Sequence, residues 1–154
     1  MKHFSIKTLI ILFIGVLSLF VLFSCGKSDD NKEKEPTVVM SESYKKGRTD
    51  FKAVTGVELP ALEKLEAEDF PYEEGAKEYC FDITSGDNLN YETYLKFENF
   101  FKEKMGNCDP GFPDGNEETG RSAEWTKDNR WYQVMWDATN KAIYINTRYL
   151  ENGK

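Results

Sequence analysis

From residue 121 to residue 150, apolar and polar side chains alternate with a period of two, interrupted twice by turn residues. RSAEWTK, RWYQVMWD and KAIYINTRY are therefore predicted as three strands of an antiparallel meander, joined at Asp128-Asn129 and around Thr139-Asn140. With two-residue turns, Trp125 falls opposite Tyr132, Ala123 opposite Val134, Trp136 opposite Ile143 and Val134 opposite Ile145. All of these lie on one face. A slip of one residue in either hairpin would scatter them over both, so the pattern specifies its own register. The other face is mixed, with Glu124, Thr126, Trp131, Gln133, Met135, Tyr144, Asn146 and Arg148; Trp131 is paired to Arg148 and Met135 to Tyr144.

A helical period replaces the strand period upstream. In NYETYLKFENFFKEKMG, residues 90–106, Tyr94, Phe97, Phe101 and Met105 recur at spacings of three and four and form one apolar stripe, a core face. Asn90 can cap this helix and Gly106 can end it in a left-handed residue. KEYCFDIT, residues 77–84, alternates again, with Tyr79, Phe81 and Ile83 on one face and Cys80 and Asp82 on the other. Thr49-Asp50 is a plausible cap for a short helix through Phe51 and Val54, stopped by Gly56. PALEKLEAEDF, residues 60–70, is ambiguous. Its residues are strong helix formers and Pro60 suits a first helical position, but an edge strand pairing with the 77–84 strand is preferred, because the sheet would otherwise begin with a partnerless strand. NCDPGFPDGNEETG, residues 107–120, reads as a loop of turn residues. The fold class is therefore α+β: a two-layer domain with an antiparallel sheet of four to five strands, ending in the three-stranded meander, and one main helix on its apolar face.

The N-terminal segment obeys a different logic. Lys2 and Lys7 precede an apolar run from Leu9 to Phe23, the layout of a secretory signal. As a helix this run reaches about 22 Å, short of a bilayer core of about 30 Å, so a cleaved signal over residues 1–24 is expected in preference to a permanent span. Leu22-Phe23-Ser24-Cys25 resembles the lipobox of bacterial lipoproteins, with Phe23 bulkier than the usual second residue. The resemblance implies that Cys25 is lipidated and becomes the first residue of the mature chain, anchoring it to a membrane. Gly26 is not the aspartate that often retains such proteins at an inner membrane, and Ser28-Asp29-Asp30 resembles the acidic export tag of surface lipoproteins in Bacteroidetes-type bacteria. Together they imply an outer-membrane location, surface-exposed or otherwise periplasm-facing. The layout resembles small lipoproteins of such bacteria over the signal and tether, only loosely over the domain, and carries no catalytic residues across. GKSDDNKEKEP has no residue that could join a core, so residues 25–40 read as lipidated cysteine and solvated tether, and 41–154 as a single globular domain.

Charge and residue inventory then narrow the chemistry. The signal removes Lys2 and Lys7 and no acid, so the 20 basic residues of the chain fall to 18 against 27 acidic, a balance of −9. Such a surface repels phosphate backbones, so no nucleic-acid partner is expected. The only histidine, His3, lies in the signal, which excludes histidine-dependent nucleophilic triads and histidine-ligated zinc from the mature chain. No cofactor and no metal are expected. Asp109, Asp114, Glu117 and Glu118 could offer oxygen ligands to calcium, but their spacing is not that of the twelve-residue calcium loop. Cys80 and Cys108 form an even pair in an oxidising compartment, and a disulfide between them is expected; closing about 29 residues, it would stabilise by roughly 3.6 kcal/mol at most. It would also pin the 107–120 loop.

No catalytic residues stand out. The resulting expectation is a membrane-anchored, non-catalytic binding or accessory module, with an envelope protein or a glycan as its target. Its candidate binding face is Trp131, Gln133, Met135, Tyr144, Asn146 and Arg148, with Trp131 and Tyr144 placed to stack on sugar rings. The alternatives are an inhibitory or structural lipoprotein, or a hydrolase working with carboxylates, whose pairs arise by chance among 27 acids.

Overall fold

The computed structural model describes residues 38–68 and 75–151. The signal, Cys25 and most of the tether, like the end of the 60–70 segment, lie outside the described residues. Within them the chain runs α1 (Glu42–Thr55), β1 (Glu66–Ala67), β2 (Glu78–Ser85), α2 (Tyr91–Met105), β3 (Asp114–Asn116), β4 (Gly120–Lys127), β5 (Arg130–Asp137) and β6 (Ala142–Tyr149). The strands form one antiparallel sheet in the order β1-β2-β6-β5-β4-β3, with both helices on the same face.

The meander keeps the register its alternation predicts: Trp125↔Tyr132, Ala123↔Val134, Trp136↔Ile143 and Val134↔Ile145 are all cross-strand partners. Asp128 and Asn129 adopt φ of 51° and 59°, as a two-residue turn that matches the sheet's twist requires. The second turn is longer in its ladder, since pairing stops at Asp137↔Ala142 and leaves residues 138–141 as a four-residue loop. Asp137 holds that loop by accepting from the Thr139 and Asn140 N–H groups.

Strand β2 adds its apolar face to that of β6, so three continuous rows face the helices. They run Tyr79–Thr147–Tyr132–Trp125, Phe81–Ile145–Val134–Ala123 and Ile83–Ile143–Trp136–Arg121. Helix α2 lays Tyr94, Phe97 and Phe101, all fully buried, across them. Phe101 stacks on Trp125 at 5.4 Å, and the Trp125 indole donates to the carbonyl of Gly106, which ends the helix at φ 95°. Full burial of each such side chain contributes about 1.5–3 kcal/mol. Arg121 closes the third row by a two-pronged ion pair to Glu98 of α2, at 2.8 and 3.0 Å, and the Tyr94 hydroxyl donates to the same carboxylate.

Three expectations need correction. The first helix starts two turns before Thr49-Asp50: Ser41 caps it by accepting from the Tyr44 N–H, and Thr49 and Asp50 lie inside it. Its buried stripe is Tyr44, Gly47 and Phe51, and the glycine hid the stripe from a hydrophobic reading. Glycine is needed there because a Cβ would sit 2.1 Å from the ring of Phe81. The 60–70 segment does contribute an edge strand, but only Glu66 and Ala67 join the ladder. Residues before them are irregular because side chains of α1 take their carbonyls: Arg48 donates to Leu59 and Tyr44 to Pro60. The sheet has six strands, not four to five, because the 107–120 loop contains β3, which folds back on β4 through a turn in which Asn116 Oδ1 accepts from the N–H groups of Glu118 and Thr119.

Candidate functional site

The second face of the sheet carries no helix or strand among the described residues. Its side chains also form three rows across four strands: Glu78–Arg148–Trp131–Thr126, Cys80–Asn146–Gln133–Glu124 and Asp82–Tyr144–Met135–Ser122. All six candidate residues from the sequence therefore share this surface. Alternation in β5 and β6 places them there, because each is offset by one residue from a buried partner in the core rows.

The middle row is a continuous hydrogen-bonded ladder. The Cys80 sulfur stands 2.7 Å from Asn146 Oδ1 and 2.9 Å from Asp82 Oδ1, its single S–H shared between the two acceptors; Asn146 Nδ2 donates to Gln133 Oε1 at 3.0 Å, and Gln133 Nε2 donates to Glu124 Oε1 at 2.9 Å. Gln133 also reaches the Ser122 hydroxyl, while the other Glu124 oxygen accepts from the Trp131 indole N–H at 2.8 Å. Glu124 thus fixes two neighbours at once. A shallow depression of about 430 Å³ opens beside the ladder, lined in part by Trp131, Asn146, Arg148, Glu78 and Cys80. The Arg148 guanidinium lies over the Trp131 ring, 4.8 Å from its centroid, so one ring face is shielded by this chain's own cation. Tyr144 stands in the next row, beside Met135 and Asp82, and does not form one flat platform with Trp131.

At the β2 end, burial raises the Asp82 carboxyl above the ordinary range, and the nearby Glu68 adds to this against the opposing hydrogen bond from Cys80. Cys80 is exposed at the sheet surface, yet partial desolvation of its sulfur, then the hydrogen bond to Asp82 and the charge of that carboxylate, push the thiol up to about 12. It is therefore a protonated hydrogen-bond donor at neutral pH.

The expected Cys80–Cys108 disulfide does not form; both cysteines are free. Cys80 lies in the same row as Glu124, three interstrand steps of about 4.8 Å away. The residue after Cys108, Asp109, lies outside Glu124, with its N–H on the Glu124 carbonyl. Cys108 itself packs toward the helix-side core. Disulfide-linked Cα atoms stand within about 7 Å, so the sheet separates the pair in distance and in face. Asp109 pins the loop instead, its carboxylate accepting from the Thr126 N–H and hydroxyl. Asp114 bonds the Gly115 N–H, and among the described residues no group of three or more His, Cys, Asp or Glu is arranged to hold a metal.

Sequence reasoning missed Cys80, Asp82 and Ser122 as members of this surface and missed the bridging role of Glu124. The alternation of 77–84 does put Cys80 and Asp82 opposite the core, but their place beside Asn146 and Tyr144 depends on β2 pairing with β6. Among the described residues no helix is long and apolar enough to cross a membrane. No protein-family model, curated protein or solved structure matches this chain.

Proposed function

We propose that this chain is an outer-membrane lipoprotein, anchored through Cys25, whose folded domain presents the outer face of its sheet as a non-catalytic binding or accessory surface. The observation that carries the reading is the ladder around Gln133. A solvated sheet face needs only scattered polar side chains, whereas here Ser122, Glu124, Trp131, Gln133, Asn146 and Cys80 hold one another in fixed positions beside a depression. Such cross-linking lowers the ordering cost of binding, because the side chains are already immobilised. The target classes are an envelope protein or a glycan, with the membrane contacted through the lipid.

Two measurements test it. Cys25→Ala should abolish radiolabelled fatty-acid incorporation into the chain; unchanged labelling removes the anchor. Purified protein screened against a glycan array and isolated envelope proteins should yield a ligand whose binding is lost in Trp131→Ala. A ligand bound equally well by that variant would move the site elsewhere.

A further inference from the structure

Resting on the reading of the outer face as a binding surface, we infer that its ligand is a neutral oligosaccharide. Charge gives the first constraint. Glu78, Glu124 and Asp82 stand in the three rows against a single cation, Arg148, within a domain that is acidic throughout, so a polyanion would be repelled. The second is the chemistry of the centre. Protein interfaces bury apolar and aromatic groups at their core, whereas the centre here is two side-chain amides, a hydroxyl and a carboxylate. An apolar partner laid over them would strand polar groups without hydrogen bonds. A sugar hydroxyl both donates and accepts, so it can meet the second Asn146 N–H, the Ser122 hydroxyl and the free lone pairs of Glu124 and Gln133.

The third element is Trp131, at the edge of the depression. Its indole N–H is taken by Glu124, which fixes the ring's direction, and the Arg148 guanidinium lies over one ring face. Arg148 is exposed and makes no ion pair among the described residues. A cation–π contact at an exposed site is weak, so the guanidinium can leave and a pyranose can lay its C–H face on the ring. Arg148 is then a competitor for the platform, which sets this inference apart from any anion-binding role.

The test is calorimetric titration of the purified full chain, in a detergent without sugar headgroups. Maltohexaose, cellohexaose and mannan and xyloglucan oligosaccharides are the neutral probes; heparin and polygalacturonate oligomers are the acidic ones. At least one neutral probe should bind saturably and no acidic probe should. Trp131→Ala should weaken that binding about tenfold or more, with Gln133→Ala as a second variant should the first fold poorly. Arg148→Ala should tighten it roughly two- to fivefold, the value of the contact it removes. Binding confined to acidic probes and lost in Arg148→Ala overturns the inference, as does sugar binding indifferent to both Trp131→Ala and Gln133→Ala. If no sugar binds but an isolated envelope protein does, and Trp131→Ala abolishes it, the oligosaccharide is wrong and the binding face stands. If no ligand depends on these residues, both fail.

Discussion

Trp136 and Trp131 belong to the same strand but to opposite faces of the sheet, and replacing each with alanine measures what each face contributes. Trp136 is 6% exposed; its ring meets Tyr91 edge-on at 6.1 Å, and its indole N–H donates to the Glu117 carbonyl, holding the β3–β4 hairpin. Truncation there loses the transfer free energy of a large side chain and leaves a cavity that the surrounding rings cannot fill, which together cost about 3–5 kcal/mol. Trp131 is half-buried, with the Arg148 guanidinium over its ring. Its removal opens the site to water, so the cavity contribution disappears. Full burial of a large side chain is worth about 1.5–3 kcal/mol, so a partly covered one should cost about 1–2. The Glu124 carboxylate that loses its indole partner is rehydrated. With folding stabilities of about 5–15 kcal/mol, Trp136→Ala should be unfolded or close to it, whereas Trp131→Ala should remain folded. Urea unfolding monitored by circular dichroism gives both losses from the shift in midpoint at constant slope. Equal, large losses would refute the reasoning, because they would mean that the outer face is covered as tightly as the core.

The charged and glycine positions carry further expectations. Hydrogen bonds from Arg121 and Tyr94 outweigh the burial of Glu98 and hold its carboxyl below the usual range. Its stabilisation is therefore present above the unfolded value of about 4.3 and lost as pH falls through the lower folded value; Glu98→Gln should cost about 2–3 kcal/mol at pH 7 and flatten the acid limb of stability against pH, and an unchanged limb would count against it. Asp82 has the opposite sign. Its folded pKa is raised by burial, so its contribution is complete below about pH 3.9 and lost as pH rises through the folded value. Asp82→Asn, which keeps an acceptor for Cys80, should raise the melting temperature at pH 7 and leave it unchanged near pH 3; a lower value at pH 7 would contradict this. Gly47→Ala gains about 1 kcal/mol of helix propensity but drives a Cβ into Phe81, so chemical denaturation should show a net loss of about 1–3 kcal/mol; a stabilised variant would show that α1 and β2 can move apart at little cost.

Much of the layout was legible along the chain. The meander register, the α2 stripe with its Asn90 cap, and the inward face of β2 each arise from a local period, and a local period states which side chains share a face whatever the rest of the chain does. The pairing of Trp131 with Arg148 belongs to the same class, since it comes from a turn length and an alternation. Local pattern could not state neighbourhood. Backbone hydrogen bonds do not depend on side-chain identity, so nothing in KEYCFDIT says that β2 lies beside β6, and only that pairing brings Cys80 into line with Asn146, Gln133 and Glu124. For the same reason Asp114–Asn116 could form β3 without any strand-like composition, and Gly47 could hold the centre of a buried stripe without an apolar side chain. The two cysteines are the clearest case. Counting them predicts a bond, but sheet order sets them three strands and one face apart, and a covalent bond of fixed length cannot span that distance.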